Sequence, residues 1–175
     1  TDNALITFSV SGSELSITSG GILRFVSSPD YEIKTRYTAT VTASDSNNSV
    51  TQDITVNVTN INDNAPVFTS SGSFSVNENQ TNIGSVAVTD ADGDTVSYSL
   101  SGTDASSMSI NSSSGELTFN SAPDYETKSS YSATVTASDG TNSTSQTITV
   151  TIVDVDDVAP AFTSNATFSA AENQT

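Results

Sequence analysis

Asn60-Ile61-Asn62-Asp63-Asn64-Ala65-Pro66-Val67-Phe68 is the stretch on which the reading of this chain turns, because it returns in altered form as Asp154-Val155-Asp156-Asp157-Val158-Ala159-Pro160-Ala161-Phe162. Phe68 and Phe162 lie 94 residues apart, and the same offset links Glu78 to Glu172, Pro29 to Pro123, Tyr37 to Tyr131 and Asp45 to Asp139. A fixed period of that length marks an internal repeat. In both copies a run of Asp and Asn precedes a Pro, which fixes φ and withholds a backbone donor, so the chain stiffens where one unit passes to the next. The carboxylates and amides before the Pro supply oxygen, the ligand type a hard cation such as calcium takes.

Working outward, residues 66–159 form one complete unit, residues 1–65 a partial unit lacking its first two strands, and residues 160–175 the first strand of a third. In the complete unit apolar residues alternate with polar ones, the pattern of half-buried strands. Seven strands are predicted on Phe74 and Val76; Val86 and Val88; Val96, Tyr98 and Leu100; Met108 and Ile110; Leu117 and Phe119; Tyr131, Ala133, Val135 and Ala137; and Ile148, Val150 and Ile152. Seven short strands joined by polar turns describe an all-β sandwich. The partial unit repeats the scheme from the third strand, with Ile6, Phe8 and Val10, then Leu23 and Phe25, Tyr37 to Ala43, and Ile54 to Val58. Acidic residues sit where the strands end. Asp90, Asp92 and Asp139 are placed at the pole where the chain enters the complete unit, and Glu78, Asp124 and Glu126 at the opposite pole, so each joint brings unlike poles together.

The linker and these flanking motifs resemble the calcium motifs of cadherin repeats, whose linker pattern is Asp-x-Asn-Asp-Asn-x-Pro followed by an aromatic. Asn77-Glu78-Asn79 matches the acidic residue of the first strand, and Asp90-Ala91-Asp92 the Asp-x-Asp motif. Pro123-Asp124-Tyr125-Glu126 matches Leu-Asp-x-Glu with Pro for Leu, and Asp139 the Asp closing a late strand. The resemblance implies tandem Greek-key, immunoglobulin-like β-sandwiches tied by Ca2+ into a rigid extracellular spacer of a larger adhesin. It implies ligands at the first joint from Asp30, Glu32, Asn60, Asn62, Asp63, Asn64, Asp90, Asp92 and Asp139, with Asn62 offering its backbone carbonyl. The Glu of the first copy would lie upstream of residue 1, leaving Glu172 of a neighbouring molecule as a substitute. At the second joint it implies Glu78, Asp124, Glu126, Asp154, Asp156 and Asp157. Asn60 stands where the family has Asp, and Val158 where it has Asn.

Charge is consistent with this. Twenty acidic residues face Arg24, Lys34, Arg36 and Lys128, with no His and a net charge of −16. Fifteen of the twenty acids fall on motif positions, where they repel one another unless cations intervene. Nucleic acid is excluded as a partner, since phosphate binding needs a basic face. No Cys is present for disulfide or thiol chemistry. No segment is apolar enough to span a membrane and no signal peptide is recognisable, so targeting and anchoring are expected in sequence beyond this stretch.

Competing chemistry is poorly supplied. Without His or Cys the usual bases and nucleophiles are missing, and no Gly-rich phosphate loop occurs, so no enzymatic activity is expected. Asp90-Ala91-Asp92-Gly93-Asp94 begins like an EF-hand loop, but Thr95 and Ser101 stand where Gly and Glu belong, which makes it a glycine turn with Asp94 solvated. The sequons at Asn57, Asn111 and Asn142 are expected by chance in so Ser/Thr-rich a chain. Absence of Trp argues against Trp-anchored strand exchange, and with the scarcity of Lys it suggests a bacterial surface protein. Two further readings are a calcium-dependent glycan-binding module of a secreted polysaccharide-degrading enzyme, which would need exposed aromatics where Tyr98, Tyr125 and Tyr131 read mostly as core or loop packing, and a fibre subunit. In the second, residues 160–175 would be donated to residues 1–65 of the next copy through Phe162 and Phe168.

Overall fold

The computed structural model describes residues 5–45, 47–164, 166–167, 169–170 and 172. The first unit contains β1 (Thr7–Val10), β2 (Leu15–Ile17), β3 (Leu23–Phe25), β4 (Arg36–Ser44) and β5 (Ser49–Asn57). The complete unit follows with β6 (Val67–Phe68), β7 (Ser73–Asn77), β8 (Asn82–Ser85), β9 (Val88–Thr89), β10 (Ser97–Ser101), β11 (Met108–Ile110), β12 (Glu116–Phe119), β13 (Ser130–Ser138) and β14 (Ser143–Val153).

In the complete unit a four-stranded sheet, β10-β13-β14-β7, faces a three-stranded one, β11-β12-β8, and β6 pairs with β9. The register follows from sequence. Along β13 and β14 hydroxyl residues alternate with apolar ones, so pairing Tyr131 with Val150 and Ala133 with Ile148 puts the apolar side chains on one face, all but the terminal Val153. That face is dry: Leu117, Val135, Ile148 and Val150 are fully buried, packed with Ile83, Val86, Met108, Phe119 and Ile152. The opposite face is the Ser/Thr face, with pairs such as Ser132 with Thr149 and Thr134 with Thr147.

β7 joins β14 in parallel, Val150 beside Phe74 and Ile152 beside Val76. A parallel pair needs a long connection, and here that connection is nearly the whole unit. The architecture is therefore the expected β-sandwich. Two details differ from the predicted strands. The second strand is split into β8 and β9, because Val86 leaves the ladder to fill the core, its N–H donating to Gly115 O at 3.0 Å. The linker's Val67 and Phe68 also form a short strand, pairing with Thr89 and Val88.

Gly115 permits that close approach. Its φ is +71°, and a Cβ there would lie 2.5 Å from Val86 O, so both backbone conformation and space call for glycine.

The first unit reproduces β10 to β14 as β1 to β5, with Tyr37 opposite Val56 as Tyr131 is opposite Val150. β2, on which no residue was singled out in the sequence, pairs with β3 and buries Leu15. Beyond Val153 no strand is formed among the described residues, and Phe162 is 98% exposed. Phe168, the other anchor expected for a donated strand, lies outside the described residues.

Candidate metal centre

The first joint is assembled from three separate segments. One carboxylate oxygen each from Glu32, Asp63 and Asp92 lies within 4.8 Å of the other two. Glu32 comes from the turn after Pro29, Asp63 from the linker, and Asp92 from the loop after β9. Asp92 is the pivot. Its Oδ2 accepts the N–H groups of Asp63 at 3.1 Å and Asn64 at 2.8 Å, its Oδ1 accepts from the Asn64 amide at 3.1 Å, and its carbonyl accepts from the Asn60 amide at 2.8 Å. The Asn64 amide also donates to Asp63 Oδ1 at 2.9 Å. The linker therefore wraps around one aspartate through hydrogen bonds alone.

These contacts set the charge states. The Asn64 N–H, with help from its amide and the Asp63 N–H, holds Asp92 below the usual aspartate range. Glu32 is pushed above its ordinary value by desolvation and by the negative neighbours Asp92 and Asp30. Asp30 turns its own Oδ1 to the Ile33 N–H at 3.1 Å, so it adds field at Glu32 while capping its turn.

Asp90 and Asp139 complete the near pole. Asp90 Oδ1 accepts the Asp94 N–H at 3.1 Å, and Asp139 Oδ1 accepts the N–H groups of Thr141 at 2.7 Å and Asn142 at 2.6 Å. Burial works against the charged form of Asp139, but the donors of Asn142 and Thr141 prevail and its carboxyl is held below the usual range. The second oxygens, Asp90 Oδ2 and Asp139 Oδ2, are buried and without a hydrogen-bond partner. A buried acceptor left unpaired is costly. With acceptors supplied by carboxylates and amides and no cationic side chain joined to them, the two oxygens fit a hard, oxygen-seeking cation.

Two residues here escaped the sequence reading. Asp94, read as solvated, places a carboxylate oxygen within 4.8 Å of oxygens of Asp90 and Asp92, because Gly93, at φ +79°, turns the loop back on itself. Asn142, read only as a sequon, donates through Nδ2 to Asn62 Oδ1 at 2.9 Å and Asn64 O at 3.4 Å, fixing the linker to the complete unit. Its equivalence to Asn48, which also donates its N–H to the local aspartate, Asp45, was the available signal. Asn62's side-chain oxygen is thus engaged with Asn142.

At the far pole Glu78, Asp124 and Glu126 bring one oxygen each within 4.8 Å of one another. Glu78 is only 2% exposed, and its Oε1 and Oε2 accept the N–H groups of Val155 at 2.8 Å and Tyr125 at 2.9 Å. It thereby joins the end of β7 both to the acidic turn and to the outgoing linker. Asn79, in the left-handed region at φ 63°, donates through Nδ2 to Asp157 Oδ2 at 2.6 Å. The Thr127 hydroxyl, then its N–H and that of Glu126, hold Asp124 low. Glu126 has a lowering backbone hydrogen bond, but desolvation and the charges of Glu78 and Asp154 outweigh it and leave it high. Of the linker acids expected at this joint, Asp154, Asp156 and Asp157 are exposed and none is among the three clustered carboxylates. The three-carboxylate cluster of this pole is thus Glu78, Asp124 and Glu126, with the linker acids outside it.

Of the tyrosines, Tyr98 and Tyr131 pack against the core, and Tyr125 is 38% exposed within the acidic turn. No helix among the described residues is long and apolar enough to cross a membrane.

The chain is similar in sequence and fold to known proteins. Residues 72–153 match the cadherin domain. Human protocadherin Fat 4 is 34% identical over 180 residues, covering 92% of this chain and 4% of that protein, and human protocadherin Fat 1 is 36% identical over 181 residues, covering 91% and 4%. This chain therefore spans about 4% of the length of these relatives. The solved structure of a protocadherin gammaB7 EC3-6 cis-dimer superposes with a TM-score of 0.77 at 31% identity, covering 90% of this chain and 43% of that one. Mouse cadherin-23 EC22-24 gives 0.74 at 28% identity, covering 89% and 56%. These relatives are animal proteins, so they lend no support to a bacterial surface origin. The complete repeat, matched over residues 72–153, is a cadherin domain, an extracellular module.

Proposed function

We propose that the chain is a spacer within a larger adhesion protein, its joints stiffened by calcium. The observation that carries this reading is the convergence of Glu32, Asp63 and Asp92 from two units and the linker between them, beside the buried, unpartnered oxygens of Asp90 and Asp139. Asp30, Glu32, Asn60, Asn62, Asp63, Asn64, Asp90, Asp92 and Asp139 would hold the ions of the first joint, and Asp94 joins that set. Glu78, Asp124, Glu126 and Asp154 would hold those of the second, with Asp156 and Asp157 from its linker. Bound calcium supplies positive charge and room for six to eight oxygens, which cancels the repulsion among carboxylates from different segments.

What the chain itself contributes is pre-arrangement. Asp92 holds the linker by four hydrogen bonds, and Glu78 joins strand, turn and linker. With the carboxylates neutralised the two units would hold one orientation, and with the ions removed the joint would flex. The test is thermal unfolding and small-angle X-ray scattering of the 175-residue chain in calcium and in chelator. Each ion bound only by the native state adds about 2.7 kcal/mol at a hundredfold excess over Kd, so the melting temperature rises and the maximum dimension lengthens in calcium. Identical melting and scattering in the two conditions would refute the reading.

A further inference from the structure

Lys34 and Lys128, two of four basic residues in the chain, stand at equivalent places in successive units. Lys128 Nζ pairs with Asp104 and lies 4.7 Å from the centre of the Tyr131 ring. Tyr131 meets Phe119 edge-on at 4.9 Å and 64°. Lys34 Nζ pairs with Glu14 at 2.5 and 2.6 Å and lies 4.5 Å over Tyr37, which meets Phe25 at 5.0 Å and 74°. An acid, a lysine, a tyrosine and a phenylalanine thus form one chain of contacts, built twice.

Both lysines also close an acidic turn. The Lys34 N–H donates to Asp30 O and the Lys128 N–H to Asp124 O, each at 2.9 Å. The residue that ends the turn bearing Asp30 and Glu32, or Asp124 and Glu126, is therefore pinned through its side chain to a core-facing ring and a neighbouring loop. At the second turn the pinning goes further, because Asp104 Oδ2 accepts the Ser132 N–H at 2.8 Å and so is itself fixed to β13.

We propose that Lys34 and Lys128 are positioning residues for the joints: braces that hold each acidic turn at the place where its carboxylates meet those of the neighbouring segments. The proposal rests on the calcium reading above. A neutralising role predicts the opposite sign. A positive charge near an acidic site repels a cation, so deleting it would tighten calcium binding, whereas deleting a brace loosens it. The ammonium groups are directed to Glu14 and Asp104, which belong to neither joint cluster. The two braces also differ in strength. The Lys34 and Glu14 side chains are 40% and 52% exposed, whereas Lys128 and Asp104 are 42% and 13% exposed, and exposed ion pairs contribute little.

The experiment is calorimetric titration of calcium chloride into the chelator-stripped 175-residue chain and its variants. Lys128→Met should lower affinity about tenfold, the low end of what partners that orient metal ligands contribute. Lys34→Met should have a smaller effect, and Lys128→Arg, which keeps both the ion pair and the stacking on Tyr131, should retain most of the affinity. Asp104→Asn, which leaves the lysine charge in place but loosens its anchor, should weaken binding in the same direction as Lys128→Met. Circular dichroism in chelator checks that each variant is folded; if Lys128→Met is not, Asp104→Asn and Lys128→Arg decide. Affinity unchanged or raised in Lys128→Met, or unchanged in Asp104→Asn, overturns the brace while leaving the calcium reading intact. A wild-type chain that takes up no calcium overturns both.

Discussion

Replacing Glu78 separates what the joint owes to hydrogen bonding from what it owes to charge. Glu78 is 2% exposed and accepts two backbone N–H groups, from Val155 at 2.8 Å and Tyr125 at 2.9 Å. Glu78→Gln keeps one acceptor and turns an amide donor toward the other N–H, so one charge-assisted bond is lost, a cost of about 1.5–3 kcal/mol. An opposing effect exists in the metal-free chain: Glu78 shares a 4.8 Å cluster with Asp124 and Glu126, and removing its charge relieves repulsion. In chelator the two effects partly cancel, and the variant should lie within about 1 kcal/mol of wild type. In calcium the repulsion is already neutralised, so the full loss appears together with a weaker site. For a domain of this size 1 kcal/mol corresponds to about 4–8 °C in Tm. Glu78→Ala strands both N–H groups and should cost about 3–5 kcal/mol even in chelator. Urea unfolding followed by far-ultraviolet circular dichroism, with and without calcium, measures all four differences. An equal cost for Glu78→Gln in the two conditions would refute the assignment of this carboxylate to a cation site.

Asp92→Ala removes a carboxylate that also gathers the linker, so it should reduce calcium affinity at the first joint more than Asp94→Ala, which removes an oxygen and no linker contact; titration calorimetry ranks them. Gly115→Ala sets a Cβ 2.5 Å from Val86 O at φ +71° and should cost at least about 2 kcal/mol in urea unfolding, since left-handed strain alone reaches roughly 1–3 kcal/mol. Asp104 is held below the usual aspartate range chiefly by Lys128 and then by the Ser132 N–H. A depressed folded value means its stabilisation is fully present above the unfolded value of about 3.9 and is lost as pH falls through the folded one. Asp104→Asn should therefore be less stable than wild type at pH 6 and lose less of its remaining stability between pH 5 and pH 2, as thermal melts would report.

Much of this was legible in the chain because sandwiches and calcium motifs both obey short-range rules. The Ser-Tyr-Ser-Ala-Thr-Val-Thr-Ala-Ser run of β13 alternates so strictly that only one face can be buried, and Ala133, Val135 and Ala137 are at most 2% exposed. Placing Asp90, Asp92 and Asp139 at strand ends followed from where alternation stops, whereas grouping Glu32, Asp63 and Asp92 across 60 residues of sequence came from the resemblance to cadherin linkers. What sequence could not resolve depended on close three-dimensional fit. The break between β8 and β9 arises because Val86 enters the core beside Gly115, and Asp94 joins Asp90 and Asp92 because Gly93 adopts a left-handed conformation. The Asn142 contact with Asn62 spans 80 residues and leaves no periodic signature. Asp156 shows the converse: the motif match is good, yet the residue lies exposed and outside the cluster.

The aspartates share one division of labour that explains how so acidic a joint can be folded in advance of its ligand. Each motif aspartate has two oxygens, and at Asp90, Asp139, Asp45 and Asp30 the Oδ1 atom accepts backbone N–H groups of its own turn. Those bonds fix the rotamer, because the N–H donors two to four residues ahead are positioned by the turn itself, and at Asp45 and Asp139 they also favour the charged form. At Asp90 and Asp139 the second oxygen is left buried and unpartnered. One half of the carboxylate is thereby committed to local folding, and the other half is aimed where no protein donor meets it. An asparagine in the same place could cap the turn equally well through its oxygen but would turn an amide donor into the joint. Aspartate at these positions is therefore set by the unpartnered half, and the local turn alone would not require it.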